Sequence, residues 1–236
     1  MRNDKVINKY HEFEDKLIYQ FNNHEFYAKI FPKFSKDDFI KYILQLGHIS
    51  FEFVKFIERA KLPLKSEIGK ETIRKILRDE IPAKGPTHQD NRFSDLIRIG
   101  LSPNQILNTL PTKETLKVLG QYYDAINYPQ EYYDIKIIMF LRVIGEVLVG
   151  ETYKHVVTGL KKHFNLNPSE SLFYTAHWEH DIKRGLHNGK GIGHTEYYDY
   201  VLSELITDEK TLEIAKSSAQ KALDIRNQFH EQFCNS

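Results

Sequence analysis

Six residues of this chain, Glu80, His88, Glu146, His177, Asp181 and His194, have the types and the order that a helical scaffold needs to hold two metal ions in its interior. Carboxylates and imidazoles together suit Fe(II), and incomplete coordination leaves positions where dioxygen binds or bridges. The set therefore reads as a candidate di-iron site.

His177 and Asp181, in HWEHDIKR, are four residues apart, so on a helix they share one face and can converge on a single ion. An isolated His-x-x-x-Asp is more often a helix-surface hydrogen bond. Here Leu172, Phe173 and Ala176 predict that part of the helix enters the core, where a charged aspartate is costly unless paired or metal-bound. His180 falls on another face, as a surface or supporting residue. Glu80 closes one helix before the turn EIPAKGPTH, and His88 opens the next, HQDNRFSDLIRIGL. Pro82, Gly85 and Pro86 allow that turn to fold back and aim both side chains into one cavity, although an acid and a histidine flanking a loop are, by themselves, more often solvent-exposed. Glu146 lies in IKIIMFLRVIGEVLVG, the most apolar stretch of the chain, where a glutamate requires a ligand, a buried ion pair or a raised pKa. Glu151, on another face, is the reserve candidate.

The elements that must position these residues are helices. Residues 4–30 and 36–61 carry apolar side chains at three- and four-residue spacing, as in Phe39, Ile43, Leu46, Phe53, Val54 and Ile57, and no comparable alternating run predicts a strand. Pro and Gly punctuation cuts the chain into seven or eight helices. Asp37 and Asp38 suit a first turn, and Ser102-Pro103 reads as an N-cap followed by proline at the first helical position. The last helix, about 208–233, turns Leu212, Ala215, Ala219, Ala222, Leu223 and Phe229 inward. With no internal repeat or linker, residues 1–236 are expected to form one domain.

Composition narrows the function classes. The 236 residues, 41% of them hydrophobic, can bury a substantial core. Lys plus Arg (33) nearly cancel Asp plus Glu (32), which leaves no basic field for nucleic acid. No apolar run approaches the ~20 residues of a membrane span, and the first residues hold no apolar signal core, so a cytoplasmic protein is expected. The single cysteine, Cys234, excludes an intrachain disulfide and a Cys-based zinc site.

Three stretches carry a family resemblance. ILRDEIPAKGPTHQDNRFSDLIRIGLS resembles a glutamate, a Gly-containing turn and a histidine preceding a helix that ends in aliphatic-Gly-aliphatic. GEVLVGETYKHVVTGLKKHF resembles a second glutamate helix, and FYTAHWEHD a closing His-x-x-x-Asp helix. Together, from about residue 20 to 225, they resemble the heme-oxygenase-like di-iron oxidases and oxygenases of the TenA/PqqC superfamily. They are most similar to the branch of the chlamydial death-domain-associated protein, whose relatives make p-aminobenzoate for folate.

That resemblance implies an all-α, heme-oxygenase-like bundle, two Fe(II) ions and O2 as co-substrate. The substrate it implies is a small amine- or amino-acid-like molecule, with p-aminobenzoate formation as one outcome. Glu80, His88, Glu146, His177 and Asp181 match the family's ligand positions. The sixth position, usually a histidine three residues after the aspartate, holds Arg184 here. If GLHNGKGIG is an insertion, the register resumes at His194, which shares a face with Tyr197, Tyr198, Val201 and Leu205; His187 is the alternative, and loss of one iron the third outcome. Tyr27 aligns with a tyrosine used in the self-sacrificing reaction of the p-aminobenzoate-forming relatives and is equally readable as a packed aromatic. The lysine of those relatives is replaced at the matching spacing by Val156. Candidate partners are the small-molecule substrate, a second copy of the chain in a homodimer, and an external electron donor. The alternatives are a cofactor-free PqqC- or TenA-like enzyme, for which Arg184, His187 and His194 speak and the tail position of Cys234 speaks against a thiol nucleophile, and a non-catalytic protein-binding member of the fold.

Overall fold

A computed structural model describes residues 4–127, 130–181 and 193–234. Among the described residues there are eleven α-helices and no strand. The helices are α1 (Asp4–Asn22), α2 (Lys36–Lys61), α3 (Glu67–Glu80), α4 (His88–Arg98), α5 (Pro103–Asn108), α6 (Lys113–Ile126), α7 (Tyr133–Leu141), α8 (Leu148–Phe164), α9 (Tyr174–Asp181), α10 (His194–Leu205) and α11 (Glu209–Glu231).

The boundaries follow local chemistry. Ser35, Thr87 and Ser102 each cap a helix, their hydroxyls accepting from the backbone N–H three residues on, while Asp38, Asp90 and Gln105 return the bond in reciprocal capping boxes. Asp208 does the same for α11. The count exceeds the seven or eight predicted for two reasons. Ser102-Pro103 starts a six-residue helix that is too short to show periodicity, and the long apolar element around Glu146 is divided into α7 and α8 by a π-helical stretch, Arg142–Val147. The stretch expected as one helix over 4–30 is interrupted after Asn22 before a π-helical turn, Phe26–Ile30.

α8 lies along α9, and α11 runs against α7, α1 and α6, while α2 packs on α3 and α6. The inward set proposed for α11 is buried as expected. On α2, Phe39, Ile43, Leu46 and Ile57 are buried, whereas Phe53 and Val54 are only partly covered and Phe56 takes the core position beside them. None of the described helices is long and apolar enough to cross a membrane.

Two breaks in helical regularity position the candidate site. Between α3 and α4 the chain reverses through Gly85 at φ 94°, a left-handed conformation that a side chain resists. The long apolar element expected around Glu146 is not one α-helix: α7 passes into a π-helical stretch, Arg142–Val147, before α8 begins. Such π-turns rotate the side chains that follow them and recur at functional sites. Here the turn is made at Gly145, where a Cβ would stand 2.6 Å from the Phe53 ring.

Candidate metal centre

The six residues named from the sequence come together as two adjacent triads. Glu80, His88 and His177 form one, and Glu146, Asp181 and His194 the other; within each triad one ligand atom per residue lies within 4.8 Å of the others. His177 and Asp181 stand one turn apart on α9 and so contribute one ligand to each triad. The α3–α4 turn brings His88 Nδ1 to 2.9 Å from Glu80 Oε2. The His88 and His177 rings meet edge to face at 4.5 Å.

The second triad is deeper. Glu146, Asp181 and His194 are each no more than 2% exposed. His194 Nδ1 lies 3.2 Å from Glu146 Oε2 and 3.6 Å from Asp181 Oδ1. Burial raises the pKa of Glu146 to about 7, His194 opposes that rise, and the Glu146 carboxylate in turn helps hold His194 well above its ordinary value. Burial lowers the pKa of His177, which keeps it neutral, as a ligand must be, whereas His194 would give up its proton to a bound cation.

Supporting contacts orient the rings. His177 Nδ1 donates to the Phe173 carbonyl at 2.8 Å, which leaves Nε2 for an ion. On His194 the roles are exchanged: Nε2 lies 3.2 Å from Asp79 Oδ2, and Nδ1 faces the triad. Asp95, fully buried on α4, accepts from Ser171 Oγ and from the backbone N–H groups of Leu172 and Phe173, so the helix carrying His88 anchors the start of the helix carrying His177. Sequence reasoning missed Asp79 and Asp95. The Asp-Glu pair at 79–80 was a readable signal for the first, whereas nothing local marked the second.

The other residues named from the sequence are placed as follows. Of the three residues expected in the core, Phe173 is buried, whereas Leu172 and Ala176 are exposed and Tyr174 joins Phe173 in holding α9 in place. Glu151, the reserve ligand, accepts from Asn22 Nδ2 at 2.8 Å and belongs to neither triad. Tyr27 is buried outside the wall of the cavity beside the triads; its hydroxyl meets Tyr42 and His230 at 3.1 Å and Thr152 at 3.3 Å, and its ring stacks on His155 at 4.0 Å. Burial raises its pKa to about 12, so it is a neutral phenol at physiological pH. Val156 is fully buried at the position of the missing lysine. Arg184 and His187 lie outside the described residues, as does the side chain of His180.

A cavity of about 40 Å³ opens against both triads, touching Glu80, His177, Glu146 and Asp181. Its other walls are mostly apolar, including Leu46, Ile49, Phe53, Ile144 and Val149, with Tyr122, Tyr153 and Arg226 adding polar groups. A wider surface groove of about 740 Å³, bordered by α2, α6 and α11, contains none of the six residues.

This donor set fits a pair of divalent cations. The mixed N/O ligands suit iron, and Glu146 Oε1 is buried without a hydrogen-bond partner, an arrangement that is costly unless a cation takes the lone pairs.

The fold is the heme-oxygenase-like helical bundle. A domain of unknown function with that fold from Shewanella denitrificans superposes with a TM-score of 0.69 over 100% of this chain and 93% of that one, at 14% identity. A CADD-like protein of unknown function from Nostoc punctiforme matches with a TM-score of 0.72 over 96% of this chain and 97% of that one, at 13% identity. No family model and no curated protein matches the chain. At such identities the likeness speaks for the fold, so the chemistry must be argued from the triads.

Proposed function

We propose that the protein is a non-heme di-iron oxidase or oxygenase acting on a small organic substrate. The observation that carries this reading is the pair of three-residue N/O groups meeting at α9 beside a mostly apolar cavity. Glu80, His88 and His177 would hold one ion, and Glu146, Asp181 and His194 the other. When bound, such a pair of ions supplies reductive activation of dioxygen. The chain supplies the rest. Asp79 and the Phe173 carbonyl fix the orientation of the His194 and His177 rings before any ion arrives, which lowers the cost of assembling the site. Apolar walls exclude water and hold a substrate against the triads. His194 Nδ1 and Glu146 Oε2, 3.2 Å apart, hold each other in place without an ion and would turn to one together when it binds.

Anaerobic reconstitution with Fe(II), followed by metal analysis and an oxygen-electrode assay with an added reductant, tests the reading. About two irons per chain, with oxygen consumption that is lost in His177→Ala, is the expected result. Wild-type protein that takes up no iron, or His177→Ala that retains it all, would overturn it.

A further inference from the structure

The core contains a buried cation at the cavity that the triads do not use. Arg226, on α11, is 1% exposed and lines the cavity next to Glu146 and Asp181. Its Nη2 donates to the Ile144 carbonyl at 2.6 Å, within the π-helical stretch. Its Nε is buried with no hydrogen-bond partner, and no carboxylate lies within ion-pair distance of its guanidinium among the described residues. A guanidinium has five N–H donors in a planar fork that matches a carboxylate, and burying one without an anion costs far more than one carbonyl returns. Tyr122 lines the same cavity; its hydroxyl is also buried and unpartnered, and it lies close enough to Arg226 for that charge to lower its pKa against the effect of burial.

We infer that Arg226, assisted by the Tyr122 hydroxyl, is a binding site for the carboxylate of the substrate, which makes the substrate a small carboxylic acid with an apolar body lying toward the triads. This rests on the metal reading for the fate of the substrate but not for its recognition. Arg226 N–H groups and Tyr122 O–H donate to the two carboxylate oxygens, satisfying both orphaned donors at once. Ile49, Phe53 and Val149 then meet the apolar part. With two divalent ions bound, the ions outweigh the charge of Glu80, Glu146 and Asp181, so an anion entering beside Arg226 also brings the cavity nearer to neutrality.

The test is calorimetric titration of acetate and propanoate, with acetamide and propanamide as neutral matches, into anaerobic Fe(II)-loaded and into metal-free protein. Wild-type protein is expected to bind the acids at least about tenfold tighter than the amides. Arg226→Gln is expected to abolish that preference, Arg226→Lys to restore part of it, and Tyr122→Phe to weaken acid binding a few-fold, all with iron content unchanged. Equal binding of acids and amides, no binding of either, or full preference in Arg226→Gln would overturn the assignment. A drop in iron content in Arg226→Gln would do so too, since it would make Arg226 a prop of the metal centre. Wild-type protein that loads no iron would sink the metal reading alone, and the acid preference would then be read on the metal-free protein.

Discussion

Of the three arginines buried in the bundle, Arg92, Arg142 and Arg226, the last two are treated in opposite ways. Arg142 is 0% exposed and fully answered: Nε and Nη2 each lie 3.0 Å from a Glu14 carboxylate oxygen, Asp199 stands 3.3 Å away, and Nη1 donates to the Thr195 carbonyl. Tyr10 adds a bond to Glu14. Arg226, equally deep, meets one carbonyl and a cavity. The two bear on one short segment, since Arg142 begins the π-helical stretch and Arg226 donates to Ile144 within it, with Glu146 two residues further on. The difference teaches how to separate scaffold from site without a ligand in view. A buried charge that the chain has already neutralised holds helices together, and one left open costs stability that only a bound partner can return.

The sharpest way to break this comparison is to remove the answer to Arg142. Glu14→Ala strands a buried guanidinium and should lower unfolding free energy by about 3–5 kcal/mol in a urea or thermal melt. A loss below about 1 kcal/mol would mean that the Arg142 network is no more structural than Arg226. On the other side, His177→Ala should leave the metal-free melt nearly unchanged but reduce iron to about one per chain or fewer, because it removes the Nε2 that the Phe173 contact holds ready. His194→Ala should weaken iron binding and stop oxygen consumption, whereas His187→Ala should leave both largely intact; the reverse pattern would move the sixth ligand into the glycine-rich segment.

Smaller effects sharpen the contrast further. Gly145→Ala forces a methyl toward the Phe53 ring and should cost about 1–3 kcal/mol while also lowering iron content, because the same turn aims Glu146. Destabilisation with full iron binding would show that the π-turn does not set the ligand geometry. Arg226→Met should raise the stability of the metal-free protein by about 1 kcal/mol, measured by the same melt. A loss comparable to that of Glu14→Ala would erase the distinction between the two arginines.

Much of the site was legible because its signals are local. His177 and Asp181 share a face by spacing alone, and Glu80 and His88 flank a turn that has to reverse through Gly85. Glu146 was conspicuous as an acid in an apolar run. Less was legible where partners come from far along the chain. Asp95 looks like any helix-surface acid until Ser171, Leu172 and Phe173 are brought to it from more than seventy residues away. Leu172 and Ala176 looked like core and are exposed, because the rotation of a two-turn helix is set by what it packs against rather than by its own few apolar residues. The extra helices arise from capping and a π-turn, both of which act on single residues and leave little periodicity to detect.

By itself, then, the amino-acid sequence determined an all-helical chain, several of its helix starts, and six residues of cation-binding chemistry, since periodicity, caps and residue chemistry are properties of neighbours along the chain. Only the tertiary structure decided that those six divide three and three, that Glu151 is spoken for by Asn22, and that Arg142 is paired while Arg226 is left open. The physical reason is that the cost of burying a charge depends on the distance to its counter-charge, and that distance is fixed when α1, α7, α9 and α11 pack around one another.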